Sequence, residues 1–130
     1  MKTETELRAG AAEIDITPAM DIQIAGDIGR RRPVNEIRER IYAKALVLEA
    51  EGRKCCILSV EVCYITHQWV DEIRRRAAAQ FGLEPRSIMI HSIQNHSAPA
   101  IGNAAVSDDY AGIPPDLWWL RSSDERYNEP

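Results

Sequence analysis

The sequence predicts an α/β fold: a mixed β-sheet built on a hairpin, one packed helix and a further strand (β-β-α-β), followed by an irregular tail. Three observations carry this. Two strand-like runs, Ile41 to Glu49 and Lys54 to Val62, are separated only by Glu51-Gly52-Arg53, a link short enough for an antiparallel hairpin. A helical apolar stripe, Val70, Ile73, Ala77 and Phe81, follows at three- and four-residue steps. A third β-rich run, Ser87 to Ile93, comes after it. A hairpin, a helix and then a strand form a layered order, with the helix crossing over one face of the sheet.

Each element has its own reason. Ala11 to Thr17 (AAEIDIT) alternates Ile14 and Ile16 with Glu13 and Asp15, a half-buried strand pattern ended by Pro18. Residues 19–40 are irregular, and Gly26 and Gly29 around Asp27 predict a loop shaped by positive-φ backbone. The run Arg30, Arg31 and Arg32 before Pro33 predicts a solvated turn. Lys54 to Val62 is nearly apolar on both faces, which predicts a strand near the sheet centre. Glu61 interrupts it. A carboxylate is costly to bury unpaired, so Glu61 is expected where the strand emerges at an edge or cleft. Thr66 is the expected N-cap of a helix ending at Phe81, with Gly82 as its stop. The division is therefore an α/β segment over 1–106 and an irregular tail over 107–130, with no internal repeat.

With 130 residues, the chain has room for one domain. Twenty acidic against sixteen basic residues exclude the basic face that nucleic acid or an anionic membrane requires. No apolar run reaches the ~18–20 residues of a membrane span. Cys55, Cys56 and Cys63 are odd in number and crowded together, which reads as small buried hydrophobes rather than a disulfide scaffold. With a polar lead and no secretory pattern, they predict a reducing, cytoplasmic setting. Leu117, Trp118, Trp119 and Leu120 form the strongest apolar group of the tail. They are expected to dock on the uncovered sheet face or on a second copy, so a homo-oligomer or a part of a longer chain is expected.

Candidate chemistry gathers at the end of the last strand, in Gln94-Asn95-His96-Ser97-Ala98-Pro99. Strand alternation puts Gln94 and His96 on one face and His91 on the other, while His67 falls in the first turn of the helix. One His beside one Gln is short of the three or four ligands that zinc gathers. The residues alone leave a hydrogen-bonded polar cluster as the default.

The order of segments resembles the N-terminal region of the neutral/alkaline (non-lysosomal) ceramidase family. Asp15-Ile16-Thr17-Pro18 is similar to its D-I-T-P strand end, and a Gly-containing loop follows. Ile37 to Leu48 resembles I-x-x-x-L-Y-A-R-A-L-V-L, and Leu58 to Ile65 resembles V-S-L-D-L-C-G-I. Ile93 to Pro99 stands where the family has T-H-T-H-S-A/G-P. The resemblance spans residues 10–101. It implies a zinc amidohydrolase that cleaves the N-acyl bond of ceramide, the metal polarising the carbonyl and activating a water. It implies further that Gly26 and Asp27 line the approach of a lipid amide or other N-acyl amide substrate. Gln94 and His96 would mark the metal corner, with His96 in the catalytic centre. The first His of the family motif, a zinc ligand, is Gln94 here, and the family's later His, Glu and Tyr ligands would fall beyond Pro130. A chain inactive on its own is therefore expected. The alternative is a non-catalytic binding or assembly domain that keeps the fold without the metal.

Overall fold

A computed structural model describes residues 6–27, 29–103, 113–121 and 123–128. Four strands, β1 (Arg8–Asp15), β2 (Tyr42–Ala50), β3 (Arg53–Val60) and β4 (Ile88–Ser92), form one sheet in the order β1-β2-β3-β4. The first two pairings are antiparallel and β3 pairs with β4 in parallel. The parallel pair requires a crossover, which α1 (His67–Phe81) supplies. The expected mixed α/β sheet is present.

Hairpin and helix follow their sequence signals closely. Glu51 and Gly52 turn the chain at φ 51° and 72°, the left-handed geometry of a tight hairpin turn. Gly82 ends α1 in the left-handed conformation, and its N–H donates to the carbonyl of Ala78. Thr66 sits at the N-cap position, yet its side chain caps nothing. Its Oγ1 is turned toward Gly102, where a Cβ would stand only 2.1 Å away.

Register divides the sheet into two faces. Ala45, Val47, Cys56, Ile88 and Ile90 point toward the helix and pack with Ala77 and Leu83. Leu46, Ile57 and Met89 alternate to the other face, where Leu46 and Met89 remain exposed. The half-burial expected of the first strand is not found. β1 begins earlier, at Arg8, is exposed throughout, and leaves Ile14 at 65% exposure. It is the sheet edge farthest from α1, so the helix layer ends before reaching it. Phe81, predicted in the apolar stripe, is 62% exposed for the same reason. It borders an open groove of about 630 Å³ between α1 and the sheet, with Ala45, Val47, Leu58 and Ile73. Among the cysteines, Cys56 and Cys63 are buried as expected and burial pushes both thiols up, whereas Cys55 alternates outward and is exposed.

Loops 16–41, 61–66 and 93–103 gather at the carboxyl end of β3 and β4. There Ala25 N–H donates to Ala98 O (3.0 Å), Cys63 N–H to Pro99 O (2.9 Å) and Ile101 N–H to Tyr64 O (2.9 Å). Ala25, Cys63 and Ala100 form a second small core beneath this end, with Tyr64 packed on it. The C-terminal region is irregular, as expected, with only short helical turns, but its docking differs. Residues 104–112 lie outside the description, but Pro115–Arg121 forms a 3-10 turn and α2 (Glu125–Asn128) a short helix. Segment 123–128 docks on the loop layer. Its hydrogen bonds go to Ile16, Asp21, Gln23 and Gly102, and Arg126 lies 5.9 Å from the Trp118 ring centre. Trp118 and Trp119 are half-buried. Arg126 gives the Trp118 indole a cation–π partner there.

Candidate functional site

The site grows from the carboxyl end of the parallel pair, where open α/β sheets characteristically place ligands. Backbone pairing continues past β4: Ile93 N–H donates to Val60 O (3.2 Å) and Asn95 N–H to Val62 O (3.3 Å). Between them Gln94 takes φ 58°, a left-handed conformation. Strict alternation therefore stops at Gln94, and the same-face argument for Gln94 and His96 does not pass through it. Beyond it, Asn95 folds a tight turn, its Oδ1 accepting from Ser97 N–H (2.9 Å) and its carbonyl from Ala98 N–H (3.2 Å). His96 is held at the tip of this turn.

Facing that tip is the loop around Gly26. At φ +100° Gly26 holds a backbone that side chains rarely adopt, and a Cβ there would lie 2.6 Å from His96 Cγ and 2.7 Å from Nδ1. The imidazole thus rests directly on the glycine. Asp27 follows, accepting from Arg32 Nη1 at 2.9 Å, with Arg30 Nη1 at 3.8 Å. Arg32 Nη2 donates to the carbonyl oxygen of His96 at 3.1 Å. One guanidinium therefore bridges Asp27 and the His96 backbone, using the fixed fork that only arginine offers.

Of the residues singled out by sequence, Gly26, Asp27 and His96 come together. Gln94 is exposed two residues from His96. Arg32 was missed. Arg30 and Arg31 are exposed, as the solvated-turn reading expects, but Arg32 turns inward. Nothing in three identical letters separates the third from the first two. Glu61 emerges just past β3, as predicted. It is bound by Lys44 Nζ at 2.6 Å and Tyr42 N–H at 2.9 Å, and the Lys44 hydrogen bond first of all holds its carboxyl below the usual range. His67 is exposed, and His91 Nδ1 lies 3.4 Å from Ser59 Oγ on the face away from α1.

Among the described residues no three His, Cys, Asp or Glu side chains converge as a metal would require. The donor set at 94 and 96, one amide and one imidazole, does not by itself fit zinc. No described helix is long and apolar enough to cross a membrane. An apolar groove lies beside α1, but His96, Gly26 and Asp27 do not line it. It is the open flank of the helix layer.

No protein-family model matches the chain, and no curated protein matches it in sequence. Solved structures do match. The chain superposes on neutral ceramidase from Pseudomonas aeruginosa with a TM-score of 0.66 at 22% identity, covering 75% of this chain and 16% of that one. On a ceramidase complexed with C2, the TM-score is 0.70 at 18% identity, over 96% of this chain and 19% of that one. The chain therefore spans less than a fifth of either ceramidase, and what it shares with them is the fold.

Proposed function

We propose that this chain forms one wall of an amide-hydrolase site of the ceramidase type, acting on the N-acyl bond of a lipid amide. The observation that carries the reading is the His96-Ser97-Ala98-Pro99 turn, seated on Gly26 at the carboxyl end of β3 and β4. It stands on a fold shared with ceramidases, and fold alone does not assign activity. Gly26, with the imidazole seated on it, and Asp27, a carboxylate acceptor, line the approach of the substrate, and His96 is the proton-carrying group. Zinc would supply a polarised carbonyl and an activated water, but two donors do not make its site, so the remaining ligands must come from outside this set. The chain does not complete hydrolysis alone. Three unpaired cysteines support a reducing, cytoplasmic setting.

A second reading, a binding or assembly domain that keeps the fold without the metal, is favoured by Gln94 at the ligand position. NMR titration of the chain with a soluble short-chain N-acylsphingosine separates the two. Shifts focused on Gly26, Asp27 and His96 without turnover support the first reading. Shifts elsewhere, or none, favour the second. Turnover abolished by chelator and by His96→Ala would overturn the claim that the chain is inactive alone.

A further inference from the structure

Two buried polar side chains have no part in the reading above. Gln23 and Asp124 are each 2% exposed. Buried amides and carboxylates are costly unless their donors and acceptors are met, and here they are met in a connected way. Gln23 Nε2 donates to the carbonyls of Ile24 (3.1 Å) and Arg30 (3.0 Å), and its Oε1 accepts from Arg32 N–H (3.0 Å). The side chain thus ties together both ends of the loop that carries Gly26 and Asp27. It fixes the backbone of Arg32, whose guanidinium holds Asp27 and the His96 carbonyl.

Gln23 is itself held from the tail. Its backbone N–H donates to Asp124 Oδ2 at 3.0 Å. Asp124 also accepts from Arg126, through the backbone N–H (3.1 Å), Nε (2.9 Å) and Nη2 (2.7 Å), and the same Nη2 donates to Asp21 O at 2.8 Å. Burial pushes the Asp124 carboxyl up, but these donors outweigh it and hold it below its usual range. A separate tether, Tyr127 hydroxyl to Ile16 O at 2.7 Å, reaches the loop layer without touching Gln23.

The structure assigns to Gln23 and Asp124 the role of positioning residues. Segment 123–128, acting through Asp124 and then Gln23, holds the Gly26–Asp27–Arg32 loop against His96. The assignment rests on the reading of this corner as the site, and the test keeps the two apart. In isotope-labelled full chain, the cross-relaxation between the His96 ring and the Gly26 α protons reports the loop, and the amide signals of β2 and β3 report the fold. Asp124→Ala and Gln23→Met are expected to lose the cross-peak and shift the His96 ring signals while β2 and β3 stay in place. Asp124→Asn retains an acceptor for Gln23 N–H and is expected to keep the cross-peak. Tyr127→Phe, which cuts only the other tether, is expected to keep it too. An unchanged cross-peak in Asp124→Ala and Gln23→Met overturns the assignment. So does its loss only together with the sheet signals, or its equal loss in Tyr127→Phe, either of which makes these residues general supports. If the variants behave as expected but N-acylsphingosine shifts nothing in the unmodified chain, the substrate reading falls and the positioning role stands.

Discussion

Gly26 is where a single added carbon would reach the site. Its φ of +100° penalises any L side chain, and a methyl would enter the space of His96 Cγ. Gly26→Ala is therefore expected to destabilise the chain by about 1–3 kcal/mol and to displace the imidazole. Urea unfolding reads the first effect and the His96 ring signals read the second. Wild-type stability with unmoved ring signals would show that the loop yields freely. Gly26, Asp27 and His96 were named through the family resemblance; the residues alone gave a shaped loop and a polar cluster, and the fold brings the three together. Arg32 was not legible, because its neighbours Arg30 and Arg31 are chemically identical and only the backbone of the loop selects the third. Gln23 was also hidden. It lies in the irregular stretch 19–40, where no period predicts burial, yet it is buried because its amide meets backbone groups of the loop.

At the scale of elements, periodicity decided what could be read. β2, β3 and α1 each repeat their pattern over two turns or more, so their positions emerged to within a residue or two. The tail repeats nothing: segment 123–128 is held by contacts about a hundred residues away in sequence, which no local window contains. Those contacts give the tail a pH signature. Burial, and secondarily the charge of Asp15, pushes the Tyr127 hydroxyl up to about 12 from its ordinary 10. The folded state then prefers the protonated phenol, so this stabilisation is complete below pH ~10 and is lost as pH rises through about 12. Melting temperature is expected to drop across that window, and Tyr127→Phe is expected to flatten the drop. An identical alkaline profile in the variant would detach Tyr127 from the effect. The acid limb belongs to the end of β1. Hydrogen bonds from Thr17, with Arg40 beside it, hold the Asp15 carboxyl at about 2 against an ordinary 3.8. Its contribution is present above pH ~4 and lost as pH falls through about 2, so Asp15→Asn should lower the melting temperature at pH 7 more than at pH 2. Equal losses at both pH values would assign Asp15 no charge-dependent role.

At the scale of the whole molecule, one helix of fifteen residues, about 22 Å long, serves a four-stranded sheet, and among the described residues Leu46, Met89 and the β1 edge stay exposed. The sequence predicted this shortage of cover, since it contains one long amphipathic stretch beside a strand apolar on both faces. The same economy governs the candidate site. All of its candidate donors come from one short turn, Gln94 to His96, whereas a zinc ion gathers three or four ligands. Zinc affinity should therefore respond steeply to one better donor. Gln94→His supplies it without backbone penalty, because histidine is among the residues enriched at the left-handed φ of 58° found there. An imidazole nitrogen also binds zinc far better than an amide oxygen. Calorimetric titration of the unmodified chain and the variant with zinc is expected to show a clear gain for Gln94→His, and the gain should vanish when His96→Ala is added. A gain that survives His96→Ala would mean that the new histidine finds other partners. No gain at all would mean that positions 94 and 96 do not converge on a metal, and the left-handed turn at Gln94 would then be what separates this corner from a zinc centre.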